Sequence, residues 1–215
     1  MRSRFADTFN HDADAPDYDV DVANETHPVR EGYTAVLDWV ANAAAAEAGH
    51  DLLELGSGTG NLTTLLRADA NIVGVDISAQ MLALARHKLG DRVQWVHSDL
   101  LAFFDDETLR FDRVVSTYAI HHLVADEKRT LLRRIKACLR PGGRAVFGDL
   151  MFESARVRED ALRKYTVAGW ADVADAIEHE FFWLVDESVA DLLDLGFRVA
   201  TRRFSDLSWG LCARL

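Results

Sequence analysis

Two stretches of this sequence have the residue types and spacing for chemistry. The first is Asp51 to Asn61, D-L-L-E-L-G-S-G-T-G-N, in which Glu54 precedes Gly56, Gly58 and Gly60. The apolar Leu52, Leu53 and Leu55 read as a strand, and Asn61 to Arg67 reads as a helix. Strand, glycine turn and helix is how an α/β nucleotide site begins. The glycines allow backbone angles that a Cβ forbids and let a ligand lie against the main chain. The helix start offers unpaired N–H groups to a phosphate, a carboxylate or a ribose. The second stretch is Tyr118-Ala119-Ile120-His121-His122-Leu123, just past an apolar run at 111–117. A histidine's ordinary pKa near 6.5 suits proton removal at neutral pH. Either histidine could face a ligand as a base while the other packs or bonds to backbone, and Tyr118 is a further polar candidate.

Spacing excludes several chemistries. A dinucleotide fingerprint is G-x-G-x-x-G, and here the third glycine falls one place early. A Walker loop needs Gly-Lys-Ser/Thr, and no lysine is present in the run. His121, His122 and the distant His179–Glu180 match no ligand spacing, so no metal is expected. Two acids stand at strand ends. Asp76 closes N-I-V-G-V-D at 71–76; it could accept a ribose diol and repel a 2′-phosphate, or serve as an N-terminal charge for the next helix. Asp99, in Ser98-Asp99-Leu100, could accept an adenine amine or form a turn.

The elements that must position these residues alternate. A helix is expected over 29–48, ended by Gly49, then strands at 51–55, 71–76, 92–97 and 111–117 with helices between. Ser78 caps a helix running to Leu89. A helix over 126–139 leads through Arg140-Pro141-Gly142-Gly143-Arg144, a turn, into a strand at 145–150. Residues 152–190 are mostly helical and carry Trp170, Phe181, Phe182 and Trp183, as a substrate cover or as packing on the sheet. Runs at 197–204 and 207–213 form an antiparallel hairpin. Residues 1–28 are rich in aspartate, with Phe5, Phe9 and Tyr18 among them. They read either as a loose acidic tail or as a lid.

A chain of 215 residues suits one domain, here residues 29–215. Apolar content of 49% with 27% charged is ordinary for a globular protein. No apolar run is long enough for a membrane helix, and the N-terminus lacks an apolar signal core, so a cytoplasmic protein is expected. Cys138 and Cys212 read as buried thiols. A net charge of −11 opposes nucleic acid. Arg129, Arg133, Arg134, Lys136 and Arg140 read as a solvated helix face.

Taken in order, E-L-G-S-G-T-G at 54–60, V-D at 75–76, S-D-L at 98–100, S-T-Y-A-I-H-H-L at 116–123 and L-R-P-G-G at 139–143 resemble the class I S-adenosylmethionine (SAM) methyltransferase family. The type is similar to small bacterial enzymes acting on small molecules. The resemblance implies a Rossmann-like, doubly wound, mainly parallel seven-stranded sheet with an antiparallel last strand and helices on both faces. It implies SAM as cofactor, S-adenosylhomocysteine (SAH) as product, and a small-molecule acceptor. Glu54 would order the glycine loop and the methionine amino group. Gly56, Ser57, Gly58 and Gly60 would pass close to the methionine and ribose. Asp76 would hold the ribose, and Ile77 would pack on adenine. Ser98, Asp99 and Leu100 would surround the adenine amine, and Ser116 would lie under the methionyl end. Tyr18 and Arg30 match polar positions that reach or cover the cofactor. His122, before the leucine, is the preferred base. Rival readings are an RNA or protein methyltransferase and a non-catalytic SAM-binding subunit. An NAD oxidoreductase is disfavoured by the glycine spacing and the lack of Tyr-x-x-x-Lys. Monomer and homodimer both remain open.

Overall fold

The computed structural model describes residues 1–215. Its centre is β1 (Asp51–Leu55), whose Leu52, Leu53 and Leu55 are fully buried. A strand covered on both faces must be apolar nearly throughout, and this one is, apart from Glu54. On one side β1 pairs with β2 (Asn71–Asp76), which pairs with β3 (Val93–His97). On the other it pairs with β4 (Phe111–Thr117), which pairs with β5 (Leu139–Phe152). All of these pairs are parallel. A two-residue β6 (Trp183–Leu184) runs beside the end of β5. The hairpin of β7 (Arg198–Arg203) and β8 (Ser208–Arg214) completes the sheet, with β8 antiparallel to both β5 and β7. The order is β3-β2-β1-β4-β5-β8-β7. This is the expected mainly parallel α/β sheet with one antiparallel strand.

Successive residues of each strand serve opposite faces. Leu52, Val115, Val146 and Cys212 join a core with α2 (Tyr33–Ala44), α6 (Ala155–Val167) and α7 (Ala171–His179). Leu53, Leu55, Val114, Phe147 and Leu211 join a second core with α5 (Ala125–Cys138) and α8 (Val185–Asp194). Both cysteines are buried and free. No helix is long and apolar enough to cross a membrane.

Three boundaries differ from the sequence reading, each for a local reason. The first long helix covers 33–44 rather than 29–48. It starts after Gly32, at φ 80°, and ends at Ala45, at φ 45°. Its last carbonyls are taken by arginines from distant strands. Arg113 Nε donates to Ala44 O at 2.7 Å, and Arg144 Nη1 donates to Ala43 O at 2.8 Å. Cations suit this negative end of the helix dipole. The helix after the glycine turn, α3, stops at Leu65 rather than Arg67. Arg140 to Gly143 is not a free turn but a bulge within β5, since Phe111 pairs with Leu139 while Arg113 pairs with Arg144.

Glu54 is the exception on β1, with 1% exposure. Thr63 Oγ1, on α3 (Asn61–Leu65), donates to its Oε2 at 2.6 Å. Burial outweighs this bond and pushes the carboxyl up to about 8. The folded protein therefore keeps a proton that the unfolded chain releases near 4.5, and stability falls as pH rises between those values. The slope reaches about 1.4 kcal/mol per pH unit when this group alone titrates. Glu54→Gln should flatten that fall. Urea unfolding of both proteins from pH 5 to 8 checks it; parallel curves would show that Glu54 is ionised when folded.

Candidate cofactor and acceptor site

The chemistry-bearing residues meet at the carboxyl ends of β1, β2, β3 and β4, where open α/β sheets bind ligands. The chain leaves β1 at Gly56, at φ 70°. A Cβ there would fall 2.2 Å from that of Ala119, so the loop after β1 and the loop after β4 can touch only through a glycine. The N–H groups of Gly56 and Ser57 donate to Val75 O at 2.8 and 3.0 Å, fixing the turn against β2. Asp76, at the end of β2, then ties two segments together. Its Oδ2 accepts Gly58 N–H at 2.7 Å, and its Oδ1 accepts Ser78 N–H at 2.8 Å. Ser78 caps α4 (Ala79–Leu89) through its own side chain. Burial nevertheless pushes the Asp76 carboxyl above the usual range, the two N–H groups opposing it.

Asp99 makes the turn that the sequence allowed. Its Oδ1 accepts the N–H groups of Leu101 and Ala102, at 2.9 and 3.0 Å, making the turn. Its Oδ2 accepts the Ser3 hydroxyl, so the N-terminal segment already occupies the position available to an amine. Ile77, Leu100 and Met81 form the apolar wall between Asp76 and Asp99.

Four sequence-selected residues do not line the cavity. Glu54 lies beneath the loop, bonded to Thr63. Ser116 Oγ is turned to Leu55 O at 2.7 Å, stitching β4 to β1. Ser98 spends its hydroxyl on Asp99 O at 3.1 Å and its N–H on Asp76 O at 2.9 Å. Gly60 faces α4, where a Cβ would meet Leu89 at 2.9 Å. These residues shape the loops that carry the cavity's lining. Gly56, Ser57, Gly58, Asp76, Ile77, Asp99 and Leu100 do line the cavity, as do Tyr18, Arg30, Tyr118, His121 and His122. Ser57 Oγ is buried and has no hydrogen-bond partner.

The other wall is the 3₁₀ turn Ile120–His122. It is held by Asp149 of β5, a carboxylate with 1% exposure. Asp149 Oδ2 accepts N–H groups of Ile120 and His121 and the indole N–H of Trp183, each at 3.1 Å. His121 Nδ1 lies 2.5 Å from Asp149 Oδ1, and its Nε2 lies 3.4 Å from Glu180 Oε2. His122 stacks on Phe9 with ring centres 4.3 Å apart, and its Nε2 lies 3.1 Å from His11 Nε2. Burial, followed by the charges of His121 and His11, drives the His122 imidazole well below the usual range. It is therefore neutral at physiological pH. Tyr118 presents its ring to the cavity, while its hydroxyl bonds to Ser208 Oγ at 3.3 Å. Burial raises its phenol, which disfavours it as a base.

The sequence reading missed the depth of the N-terminal contribution. Residues 1–22 run across the mouth as a strap and end in the short α1 (Tyr18–Val22). Asp12 accepts Ser78 Oγ at 2.6 Å and Gln80 N–H at 3.2 Å. Asp19 accepts Thr59 Oγ1 at 2.5 Å, Asn61 Nδ2 at 3.0 Å and Lys88 Nζ at 2.9 Å. Arg4 N–H donates to Glu127 Oε1 at 2.8 Å. Phe5 meets Phe181 of the helical region at 5.1 Å between ring centres. Asp12 and Asp19 are anchors, pairing with residues about 40 to 70 positions away, which local pattern could not reveal, while Asp7 and Asp14 pair within the strap. Asp149 gave no local signal either, and Glu180 appeared only in a ligand set that its spacing did not support.

Comparison with known proteins agrees with this geometry. Residues 52–143 match a family model described as a methyltransferase domain. An uncharacterized methyltransferase of Geobacillus thermodenitrificans is 32% identical over 97% of this chain and 96% of its own. The uncharacterized methyltransferase YrrT of Bacillus subtilis is 34% identical over 83% of this chain and 82% of its own. In fold, the chain is similar to DhpI, solved as a complex with SAH (TM-score 0.67, 21% identity, 95% of this chain and 92% of that one). It is also similar to magnesium protoporphyrin IX methyltransferase of Synechocystis PCC 6803, solved with bound SAH (TM-score 0.63, 21% identity, 87% and 84%). With the glycine loop, Asp76 and Asp99 gathered at one sheet edge and full-length relatives above 30% identity, the chain belongs to the class I SAM-dependent methyltransferase family.

Proposed function

We propose that this methyltransferase transfers the SAM methyl group to a small molecule held between the glycine loop and the His121–His122 wall. The observation that carries the reading is the strap, which lines the cavity mouth. The strap, the helical region and the sheet edge leave a cavity of about 170 Å³, walled by Phe5, Phe9, Tyr18 and Tyr33 as well as by the two histidines. A polymer strand would have to enter beneath the anchored strap. The net charge of −11 adds repulsion toward RNA.

The residues present fit the donor. Asp76 keeps lone pairs for a ribose diol beyond its two N–H bonds, and Ser57, whose buried Oγ has no partner, lines the same cavity. Asp99 offers its Oδ2 to the adenine amine once Ser3 moves aside. Entry of SAM therefore requires the strap to shift at its first residues. When bound, SAM supplies a methyl group already activated by its sulfonium. The protein's part is alignment and exclusion of water, which contribute up to roughly 7–11 kcal/mol in favourable cases. The acceptor's electron pair forms the new bond to the methyl carbon as the carbon–sulfur pair returns to sulfur. Any proton the acceptor carries leaves toward the histidine wall.

Three outcomes are expected. Asp76→Ala should weaken SAM binding by about 1–3 kcal/mol, measured by calorimetry, as for a lost buried partner. Unchanged affinity in a folded variant would remove Asp76 from the ribose. Freeing the strap with Asp12→Ala and Asp19→Ala together should speed hydrogen exchange across residues 1–22 and lower turnover by about tenfold or more; a fast strap with undiminished turnover would make it a mere cover. In the third test, SAM carrying a labelled methyl group is incubated with a metabolite extract, with tRNA and with protein. Label is expected in the metabolite fraction, and label in tRNA alone would defeat the small-molecule reading.

A further inference from the structure

The sequence spacing of His121, His122 and Glu180 matches no metal motif, yet the fold brings the three together. One ligand atom from each of the three lies within 4.8 Å of the others. His179, the residue next to Glu180, is turned out instead and bonds to Asp175 O. His11 of the strap joins the group, its Nε2 at 3.1 Å from His122 Nε2.

The hydrogen bonding around these groups suits cation ligands. His121 and His11 are built alike. Each gives its Nδ1 to a carboxylate, Asp149 at 2.5 Å and Asp14 at 2.9 Å. An Nδ1–H held this way leaves the Nε2 lone pair free and aimed, which is the arrangement behind most metal-bound histidines. With that tautomer the His121 Nε2 lone pair faces Glu180 Oε2 at 3.4 Å. The His11 Nε2 lies against His122 Nε2, and His122 Nδ1 is buried with no partner at all. Two facing lone pairs repel unless a proton or a metal cation lies between them. Ligand atoms around a tetrahedral ion with bonds of 2.0–2.1 Å stand about 3.3 Å apart. That is close to the 3.4 Å from His121 Nε2 to Glu180 Oε2 and the 3.1 Å between the His11 and His122 Nε2 atoms. The three-residue cluster, within 4.8 Å, needs a small contraction to reach it.

We propose that His121, His122 and Glu180, with His11 as the strap's contribution, hold a divalent first-row transition ion such as zinc. Imidazole and carboxylate donors select that class over magnesium or calcium, which take oxygen ligands. The cluster faces the cavity where the acceptor is placed above, so an open position on the ion would hold the acceptor's oxygen, nitrogen or sulfur. That role rests on the proposed function; the ion site itself does not. Because His11 lies on the strap, ion capture and strap closure assist each other.

The test uses the full chain without an affinity tag, stripped with chelator and titrated calorimetrically with Zn²⁺, with Mg²⁺ as control and SAH titrated in parallel. One equivalent of Zn²⁺ is expected and no Mg²⁺. Glu180→Gln, at a half-buried position that a fold tolerates, and His122→Ala should each weaken Zn²⁺ by tenfold or more. Asp14→Asn, which touches no ion, should weaken it 10–100-fold through His11. Co²⁺ in place of Zn²⁺ should show the visible bands of a four-coordinate ion, lost in Glu180→Gln. Absence of stoichiometric Zn²⁺ binding, or equal affinity in wild type, Glu180→Gln and His122→Ala, overturns the site. SAH binding without Zn²⁺ would end this proposal and leave the methyltransferase reading standing; Zn²⁺ binding without SAH would do the reverse.

Discussion

The Asp76 carboxylate is the joint on which the binding edge depends. One oxygen holds the glycine loop that follows β1, and the other holds the start of α4 that follows β2. Two neighbouring strand ends are thereby fixed to each other before any ligand arrives. The carboxylate is buried, and burial favours its neutral form, which the converging N–H groups and then His11 oppose. A ligand with hydroxyls to donate at this point adds to an existing arrangement and need not create one. That is preorganisation in its physical sense, since the cost of ordering the site is met in folding.

Asp149 performs the corresponding task on the opposite wall. As a buried acceptor on β5 it gathers the backbone of the turn after β4, the ring of His121 and the indole of Trp183. Trp183 is fully buried and belongs to the segment that interrupts the strand and helix rhythm. One carboxylate therefore sets both the histidine wall and the place where the helical region docks, which brings Glu180 to His121. A buried acceptor with many donors is satisfied only by one arrangement, and this limits the loops to that arrangement.

The strap depends on both of these joints without being part of either. Its aspartates reach the glycine loop, the α4 start and Lys88, while its aromatics reach His122 and Phe181. Several of these bonds are exposed or half-exposed, where each contributes little. A cover held by many weak contacts opens locally without disturbing the sheet. The Ser3 contact ties the start of the strap to Asp99.

The strands, the glycine loop and the strand-end acids were legible from sequence because each depends on local rules. An apolar run buried on both faces, a glycine where a Cβ would collide, and an acid at a strand end all leave marks within a few residues. Family resemblance added the cofactor for the same reason, through short motifs in order. Tertiary structure alone decided the rest. It set the end of α2, where Arg113 arrives from β4 to take the last carbonyl. It turned Ser98, Ser116 and Gly60 away from the cavity, because which face of a loop a side chain takes is settled by its neighbours across the fold. It made an acidic tail into a strap and assembled His11, His121, His122 and Glu180 from positions far apart in the chain. No local pattern encodes such a meeting, since the separation of two residues in space is fixed by the packing of every element between them.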